Sequence, residues 1–443
     1  MKSLKTMILG LLFLAPAVSA ETYSILGHWE GAVARLGSVQ PIQVDFREQD
    51  GKLAATADVP ERGLAGMPAE TVEYTPPALH LKFLYGDATL RVDAETEEMT
   101  GVIPAWQPEV RVHLKRAEAP APDFREEEVH FPSGSLSLTG TLVQPLLPGQ
   151  SPGRSPGPHP ALVLVQGSAW NTRTEPRYRS QAIFFARHGF SALIYDKRPG
   201  FENATFNDLA DDAAAAVRYL KTRKDVEAGH VGMAGYSQGG WIAPLAASRV
   251  EGVAFLVLHV APAVSVEEQE IERVRFGMAA DGFSEEDVAR AVAYTRKVFD
   301  TAYRGADWAA LAAATEKAKG TKWGEQVQLA TSPADLDGWR HQRYDPAETL
   351  RHTTIPVLAL YGAIDTLVPP SENAERMRGF LTEAGNKDVE IHIFPRASHN
   401  LEWFGDLRTG TWSWPEGYWV WAKKAPGYAE TVIGWLRGRL DRP

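Results

Sequence analysis

The chain reads as an α/β protein: a mostly parallel sheet with helices on both faces and a helical insertion, preceded by a small antiparallel β-domain. Three observations predict this. Residues 21–117 alternate apolar and polar side chains with period two, as half-buried antiparallel strands do. From residue 124 onward, short apolar runs alternate with helical patterns, as in βα units. One of those runs, Val231-Gly232-Met233-Ala234, passes through Gly235-Tyr236-Ser237-Gln238-Gly239 into Gly240-Trp241-Ile242-Ala243-Pro244-Leu245. That is a strand, a sharp turn and a helix.

In chain order, Lys2 and Lys5 precede the apolar run Met7 to Ala17, which Val18-Ser19-Ala20 closes with small residues. This is the layout of a secretory signal peptide, residues 1–20, cut after Ala20. The run is shorter than the about 20 apolar residues that a spanning helix needs. The expectation is an exported mature chain, periplasmic or secreted, with no transmembrane segment. Residues 21–117 follow as an antiparallel β-domain of about six strands, with Gln43-Val44-Asp45-Phe46, Leu79-His80-Leu81-Lys82-Phe83 and Val110-Arg111-Val112-His113-Leu114 as its clearest periodic runs. Asp50-Gly51 is a hairpin turn signal. The opening Gly27-His28-Trp29 resembles the start of lipocalin-like barrels, although a core tryptophan alone explains it. Residues 118–123, with Glu118-Ala119-Pro120-Ala121-Pro122, read as a linker.

The second unit spans residues 124–443. It opens with strands at 125–131 and 136–144 joined through Ser133-Gly134, then an exposed Gly-, Pro- and Ser-rich loop at 149–160. Residues 205–224 are helical: Leu209, Ala213, Val217 and Leu220 form one apolar stripe. Asp208, Asp211 and Asp212 near the start of that helix, and Arg218, Lys221, Arg223 and Lys224 near its end, complement the helix dipole. Between a strand at 254–260 and one at 355–361 lies an insertion, residues 264–352, with helical runs at 267–280, 284–303 and 308–319. It is expected to cap the active site and exclude water. Phe276, Met278, Tyr294, Phe299, Tyr303 and Trp308 are candidates to line the pocket under it, though most such aromatics pack cap against body. A second aromatic stretch, Trp403-Phe404 and Trp412 through Trp421, either rims the cleft or packs. Residues 428–440 close the chain as a helix.

The chemistry rests on three residues. A tight strand-to-helix turn exposes its middle side chain, needs small neighbours, and aims helix N–H groups at the same point. Ser237 is therefore the nucleophile candidate. A nucleophilic serine needs a base, and the base needs an orienting carboxylate. Ile355 to Tyr361 is a buried-strand run leading to Asp365; Val389 to Phe394 is the next strand, leading to His399. Either residue alone is more simply a capping aspartate or a surface histidine. Serine, aspartate and histidine in that order, each just past a strand, make a triad.

On these motifs, residues 124–443 resemble an α/β-hydrolase, of the kind found among exported bacterial serine hydrolases (esterase or serine aminopeptidase-like). The resemblance implies an oxyanion hole from the N–H of Gln238 and one from Ser168 or its neighbour, in the loop after Leu162-Val163-Leu164-Val165. Relatives usually carry His-Gly there; this chain has Gln166-Gly167, which leaves the backbone donors but changes the side chain. Ser191 to Gly200 matches the stretch after the fourth strand. Gln166, Tyr236 and Arg198 are candidate pocket residues, with a structural salt bridge the simpler role for Arg198.

Composition narrows the classes. With no Cys there is no thiol chemistry, and the 12 His form no H-E-x-x-H or metal-like cluster, so neither metal nor cofactor is expected. A net charge of −10 and the lack of a basic patch argue against nucleic acid as partner. The expected partner is a small-molecule ester or acyl substrate. The leading reading is a carboxylic-ester hydrolase, with esters needing the least extra machinery. The alternatives are a peptidase or aminopeptidase of the same fold, with Glu267, Glu268, Glu270 or Glu272 available to hold a substrate amine, and a ligand-binding module with a vestigial hydrolase site.

Overall fold

The computed structural model describes residues 23–35, 37–83, 86–105, 107–146, 157–168, 171–403 and 423–440. The signal-peptide stretch, the tip of the Gly- and Pro-rich loop, and the aromatic run from Phe404 through Trp421 lie outside the described residues.

The N-terminal unit is a closed antiparallel barrel of eight strands: β1 (Gly27–Arg35), β2 (Ser38–Gln49), β3 (Lys52–Val59), β4 (Leu64–Thr75), β5 (Ala78–Phe83), β6 (Gly86–Asp93), β7 (Glu98–Ile103) and β8 (Val110–Ala117). β8 returns to pair with β1, which removes both edges. The expectation of about six strands falls short for a local reason. β4 carries Gly66 and Pro68, and β7 carries Gly101, residues that weaken a strand pattern. Barrel closure supplies the pairing that their sequence does not advertise. The interior is filled by side chains, with Trp29, Leu79, Met99 and Leu114 at its centre. The Trp29 indole N–H donates to the Ile25 carbonyl at 2.9 Å, so the ring is buried with its polar atom satisfied.

The second unit is built on an eight-stranded sheet. Its strands are β9 (Phe124–Ser133), β10 (Leu136–Pro145), β11 (His159–Val165), β12 (Ser191–Tyr195), β13 (Val226–Tyr236), β14 (Leu256–His259), β15 (Val357–Gly362) and β16 (Val389–Phe394). Their order is β16-β15-β14-β13-β11-β12-β10-β9. β9 and β10 form an antiparallel hairpin at one edge, and the six strands from β11 to β16 run parallel. β12 and β15 are buried at every residue, as expected of strands covered on both faces. The helices α1 (Pro176–Arg187), α2 (Phe206–Thr222) and α3 (Gly239–Ala247) follow β11, β12 and β13. Thr205 caps α2 in a reciprocal capping box with Asp208. With its helices on both faces of a mostly parallel sheet, this is the α/β-hydrolase fold.

Between β14 and β15 stand α4 (Val266–Ala280), α5 (Glu285–Arg304), α6 (Trp308–Ala318), and the short α7 (Asp337–His341) and α8 (Ala347–Arg351). Tyr294, Val298, Leu311, Ala318, Ala330 and Leu336 form a core of their own there. After β15 come α9 (Pro370–Glu383), then β17 (Glu402–Trp403), β18 (Lys423–Lys424) and α10 (Tyr428–Leu440).

One contact between α4 and α9 is chemically unusual. Glu272 of α4, 6 % exposed, faces Glu372 of α9. Burial first, then the hydrogen bond and charge of Glu372, push the Glu272 carboxyl up to about 8, so it holds a proton that the Glu372 carboxylate accepts. Arg376 balances that carboxylate at 2.7 Å. An acid whose folded pKa lies above its ordinary value binds a proton on folding, so its contribution is full below the ordinary 4.5 and is lost as pH rises toward about 8. Glu272→Gln, which keeps a donor without the titration, should flatten the decline of melting temperature between pH 5 and 8 and exceed the parent at pH 8. Parallel profiles in a thermal melt series would contradict the shared proton.

Candidate active site

The site is organised by the turn between β13 and α3. Ser237 has φ = +52°, in the left-handed region that an ordinary side chain enters only under constraint. Its N–H is pinned to the His259 carbonyl of β14 at 2.9 Å, and its carbonyl accepts from Gly240 N–H at 2.7 Å. The flanking glycines are a steric requirement. A Cβ on Gly235 would overlap the Gly239 carbonyl, and one on Gly239 would overlap the carbonyl of Val165 at the end of β11. The turn therefore lies against the end of the neighbouring strand, close to the loop that follows it.

Asp365 follows β15 and is 4 % exposed. Its Oδ1 accepts from the N–H groups of Leu367 and Val368 at 2.8 and 3.0 Å, and its Oδ2 pairs with His399 Nδ1 at 2.8 Å. Both oxygens are satisfied, so the carboxylate has one orientation and imposes it on the imidazole. His399 sits beyond β16 in a loop closed by Ser398 N–H to Glu402 O and Leu401 N–H to Ser398 O, each 2.9 Å. Ser237 and His399 line one cleft of about 560 Å³. A hydrogen bond between Ser237 Oγ and His399 Nε2 is not formed, and such contacts commonly tighten only when substrate arrives.

The loop after β11 comes against Ser237 from the other side. A Cβ on Gly167 would lie 3.3 Å from the Ser237 Cβ. The Gly167 N–H is occupied, donating to the Tyr178 hydroxyl at 2.7 Å, while its carbonyl accepts from Lys197 Nζ at 2.6 Å. Among the described residues, no protein group accepts from the N–H of Gln238 or Ser168, and both residues line the cleft. Burial drives the Tyr178 phenol far above its ordinary value and Lys197 down to about 8. Tyr178 is presented by the first turn of α1, where Glu175 caps the Arg177 and Tyr178 N–H groups at 2.9 and 3.1 Å.

Of the candidate pocket residues, Tyr236 lines the cleft; Gln166 and Arg198 do not. Gln166 is 2 % exposed and donates to the Thr172 carbonyl at 2.9 Å, so it braces its own loop. Arg198 spends its guanidinium on Asp212 and Asp208, at 2.8 and 2.9 Å, the salt bridge weighed as its simpler role. The cap aromatics are also elsewhere. Tyr294 and Phe299 are buried within the cap, Phe276 is exposed, and the cleft takes Trp339 with Gln269, Gln328 and Gln342 instead. Gln269 Nε2 donates to the Leu367 carbonyl, tying α4 to the loop that carries Asp365.

Sequence reasoning missed Tyr178 and Lys197, whose roles depend on where α1 and the loop after β12 pack. It also missed His259, which lines the cleft, stacks on Tyr236 with centroids 4.2 Å apart, and meets the Tyr428 hydroxyl at 2.9 Å. Burial first, then the charge of Lys424, hold His259 well below its ordinary pKa, so it is neutral. The wall contributed by the barrel, Arg62, Gly63 and Leu64, was not foreseen either.

Fold and comparison together define an enzyme class, a serine hydrolase of α/β-hydrolase fold. Residues 137–381, more than half of the chain, match the family described as X-Pro dipeptidyl-peptidase (S15 family), and the chain belongs to that family. No curated protein matches it. Among solved structures it is similar to an esterase from Pyrococcus furiosus (15% identity, 73% of this chain and 96% of the other, TM-score 0.43). A dienelactone hydrolase from Anabaena variabilis is also similar (18% identity, 72% and 99%, TM-score 0.40). No helix among the described residues is long and apolar enough to cross a membrane.

The close approach at Gly239 is testable without substrate. Gly239→Ala forces a methyl group into the Val165 carbonyl and should cost on the order of 1–3 kcal/mol in denaturant unfolding. A variant as stable as its parent would mean that the turn does not pack on β11 as described.

Proposed function

We propose that the protein is an exported hydrolase of carboxylic esters that works through an acyl-enzyme on Ser237. The observation that carries this reading is the 2.8 Å Asp365–His399 pair beside Ser237 in one cleft. His399 takes the Ser237 proton as Oγ attacks the ester carbonyl, and the Asp365 carboxylate holds the imidazole in the required tautomer and stabilises its cation. The N–H groups of Gln238 and Ser168 bind the tetrahedral oxyanion, a term of roughly 3–4 kcal/mol per donor. The Tyr178 hydroxyl, already accepting from Gly167, has its own proton to donate into the same space. His399 then protonates the leaving alkoxide, and water, activated by the same imidazole, releases the acid and restores Ser237. In this reading residues 1–20 are a signal peptide, 21–117 the barrel, 118–123 the linker and 264–352 the cap; export rests on Lys2, Lys5, the apolar run from Met7 to Ala17 and the small residues Val18-Ser19-Ala20 that close it.

Esters are favoured over peptides by the state of the cleft's acids. An aminopeptidase needs a carboxylate to receive the substrate amine. The carboxylates lining the cleft among the described residues are Glu270, held by Arg273 at 2.7 Å, and Glu402, held by Arg62 at 3.3 Å. Of the other cap acids considered, Glu267 pairs with Arg304, the Glu268 carboxylate accepts from the Ser265 N–H and hydroxyl in the capping box of its helix, and Glu272 shares its proton with Glu372. The peptidase reading keeps one specific support, the description of the family to which the chain belongs.

Fluorophosphonate labelling of the mature protein, read by peptide mass spectrometry, is expected to modify Ser237 only in folded enzyme. Ser237→Ala should abolish ester turnover with the fold intact, and Asp365→Asn should lower kcat by about 10⁴-fold; full activity in either would refute the assignment. Faster release of arylamide from Xaa-Pro substrates than of phenol from simple aryl esters would transfer the assignment to the peptidase reading. Binding without turnover would favour a vestigial site.

A further inference from the structure

The side of the cleft built by the cap has a chemistry of its own. Gln269, Glu270 and Arg273 of α4, Gln328 between α6 and α7, Trp339 of α7 and Gln342 just after it line the same cleft as Ser237 and His399. The wall is balanced in charge. Its carboxylate and its guanidinium hold each other, Arg273 Nε donating to Glu270 Oε2 at 2.8 Å and Nη2 to Oε1 at 2.7 Å. Its carboxamides are open. Among the described residues, no group hydrogen-bonds the side chain of Gln328 or Gln342. The Trp241 indole N–H is spent on the Val264 carbonyl at 3.0 Å, whereas that of Trp339 has no partner among the described residues. The Trp339 ring is held from the cap side by Phe299, edge to face with centroids 4.9 Å apart, and it packs against both the cap core and the main core of the body. The wall is also fastened to the catalytic side. Gln269 Nε2 donates to the Leu367 carbonyl, Leu367 N–H donates to Asp365 Oδ1, and Asp365 Oδ2 orients His399. In ester cleavage His399 must reach the oxygen of the departing alkoxide, so the alcohol half of the substrate lies on this side.

We propose that the cap wall is a subsite for an uncharged, hydroxyl-rich alcohol, a sugar ring, so that the enzyme removes acyl groups from carbohydrate hydroxyls. The inference rests on the reading of Ser237 as nucleophile. A hydroxyl both donates and accepts, and so does a carboxamide, so Gln328 and Gln342 meet hydroxyls of either orientation. Trp339 offers its ring to the C–H face of the sugar, an aromatic wall with a few polar groups that fix orientation. An apolar alcohol would strip water from these amides and return no hydrogen bond. A charged one would find the ion pair of Glu270 and Arg273 already closed. In the reaction the acyl group passes to Ser237 Oγ as its bond to the sugar oxygen breaks. His399 returns the Ser237 proton to that oxygen, and water then releases the acid.

The test holds the acyl group constant and changes the alcohol. The methyl 6-O-acetyl glycosides of glucose, galactose and mannose are compared with tetrahydropyran-2-ylmethyl acetate, which keeps the ring and its oxygen and lacks the hydroxyls. At least one glycoside should exceed this analogue by about 10-fold or more in kcat/KM. Gln342→Leu should lower that ratio by about 10-fold, and Gln328→Leu, at the more exposed position, by about 3-fold. An analogue turned over as fast as every glycoside would overturn the proposal, as would a ratio that both variants leave unchanged. Hydrolysis of phenyl acetate with every glycoside left intact would overturn it too. If phenyl acetate and all the other esters stay intact, the reading of Ser237 fails instead, and the subsite is judged by saturation-transfer NMR of the three methyl glycosides with Ser237→Ala protein. A signal that Gln342→Leu weakens supports the subsite; no signal, or one unchanged in that variant, refutes it.

Discussion

The packing of the β13–α3 turn onto the end of β11 is the constraint on which the rest depends. Gly235 and Gly239 let three stretches of backbone meet with no side chain between them. That contact drives Ser237 to a positive φ and brings Gly167, at the head of the next loop, against it. The candidate nucleophile and the candidate oxyanion donors thus belong to one junction. The strain at Ser237 is held by hydrogen bonds to two neighbouring elements, which a loop on the surface would lack. Asp365 and His399 come to it on the ends of β15 and β16, strands whose register with β14 is fixed by continuous parallel pairing.

What was legible in the sequence is what a strand and its following loop encode locally. The apolar runs before Ser237 and Asp365 are short and unbroken because the end of β13 and all of β15 are buried, so each of these two could be read as the first polar group past a strand end; β16 instead alternates Glu390 and His392 with apolar residues, and His399 is read as the histidine in the loop that follows it. The barrel was legible as alternation, but β4 and β7 were not, since Gly66, Pro68 and Gly101 interrupt a pattern that only pairing restores. Arg198 was found as an ion-pair arginine next to a helix rich in aspartate.

The remainder of the cleft was illegible for a common reason. Tyr178, Lys197 and His259 act through contacts with backbone or rings that are remote in the chain, and nothing in their immediate neighbours distinguishes them from packing residues. The cap shows the same limit in reverse. Its aromatics are spaced to line a pocket, yet Tyr294 packs in the cap's own core and Phe299 against Tyr303 and Trp339, leaving glutamines and Trp339 to face the cleft. An insertion too large to be covered by the body must spend its apolar residues on itself.

The barrel meets the hydrolase through Ala65 and Gly66, which hydrogen-bond Ser180 and Arg179 of α1, and through the ion pairs of Arg62 and Glu61. Its own core is separate, closed around Trp29. The strand ends that carry Ser237, Asp365 and His399 and the barrel side of the cleft are therefore built on separate cores. Partial melting of the barrel would leave Ser237, Asp365 and His399 in place while one side of the cleft gave way. In such a design the outline of the cleft can change while the residues at its centre keep their places.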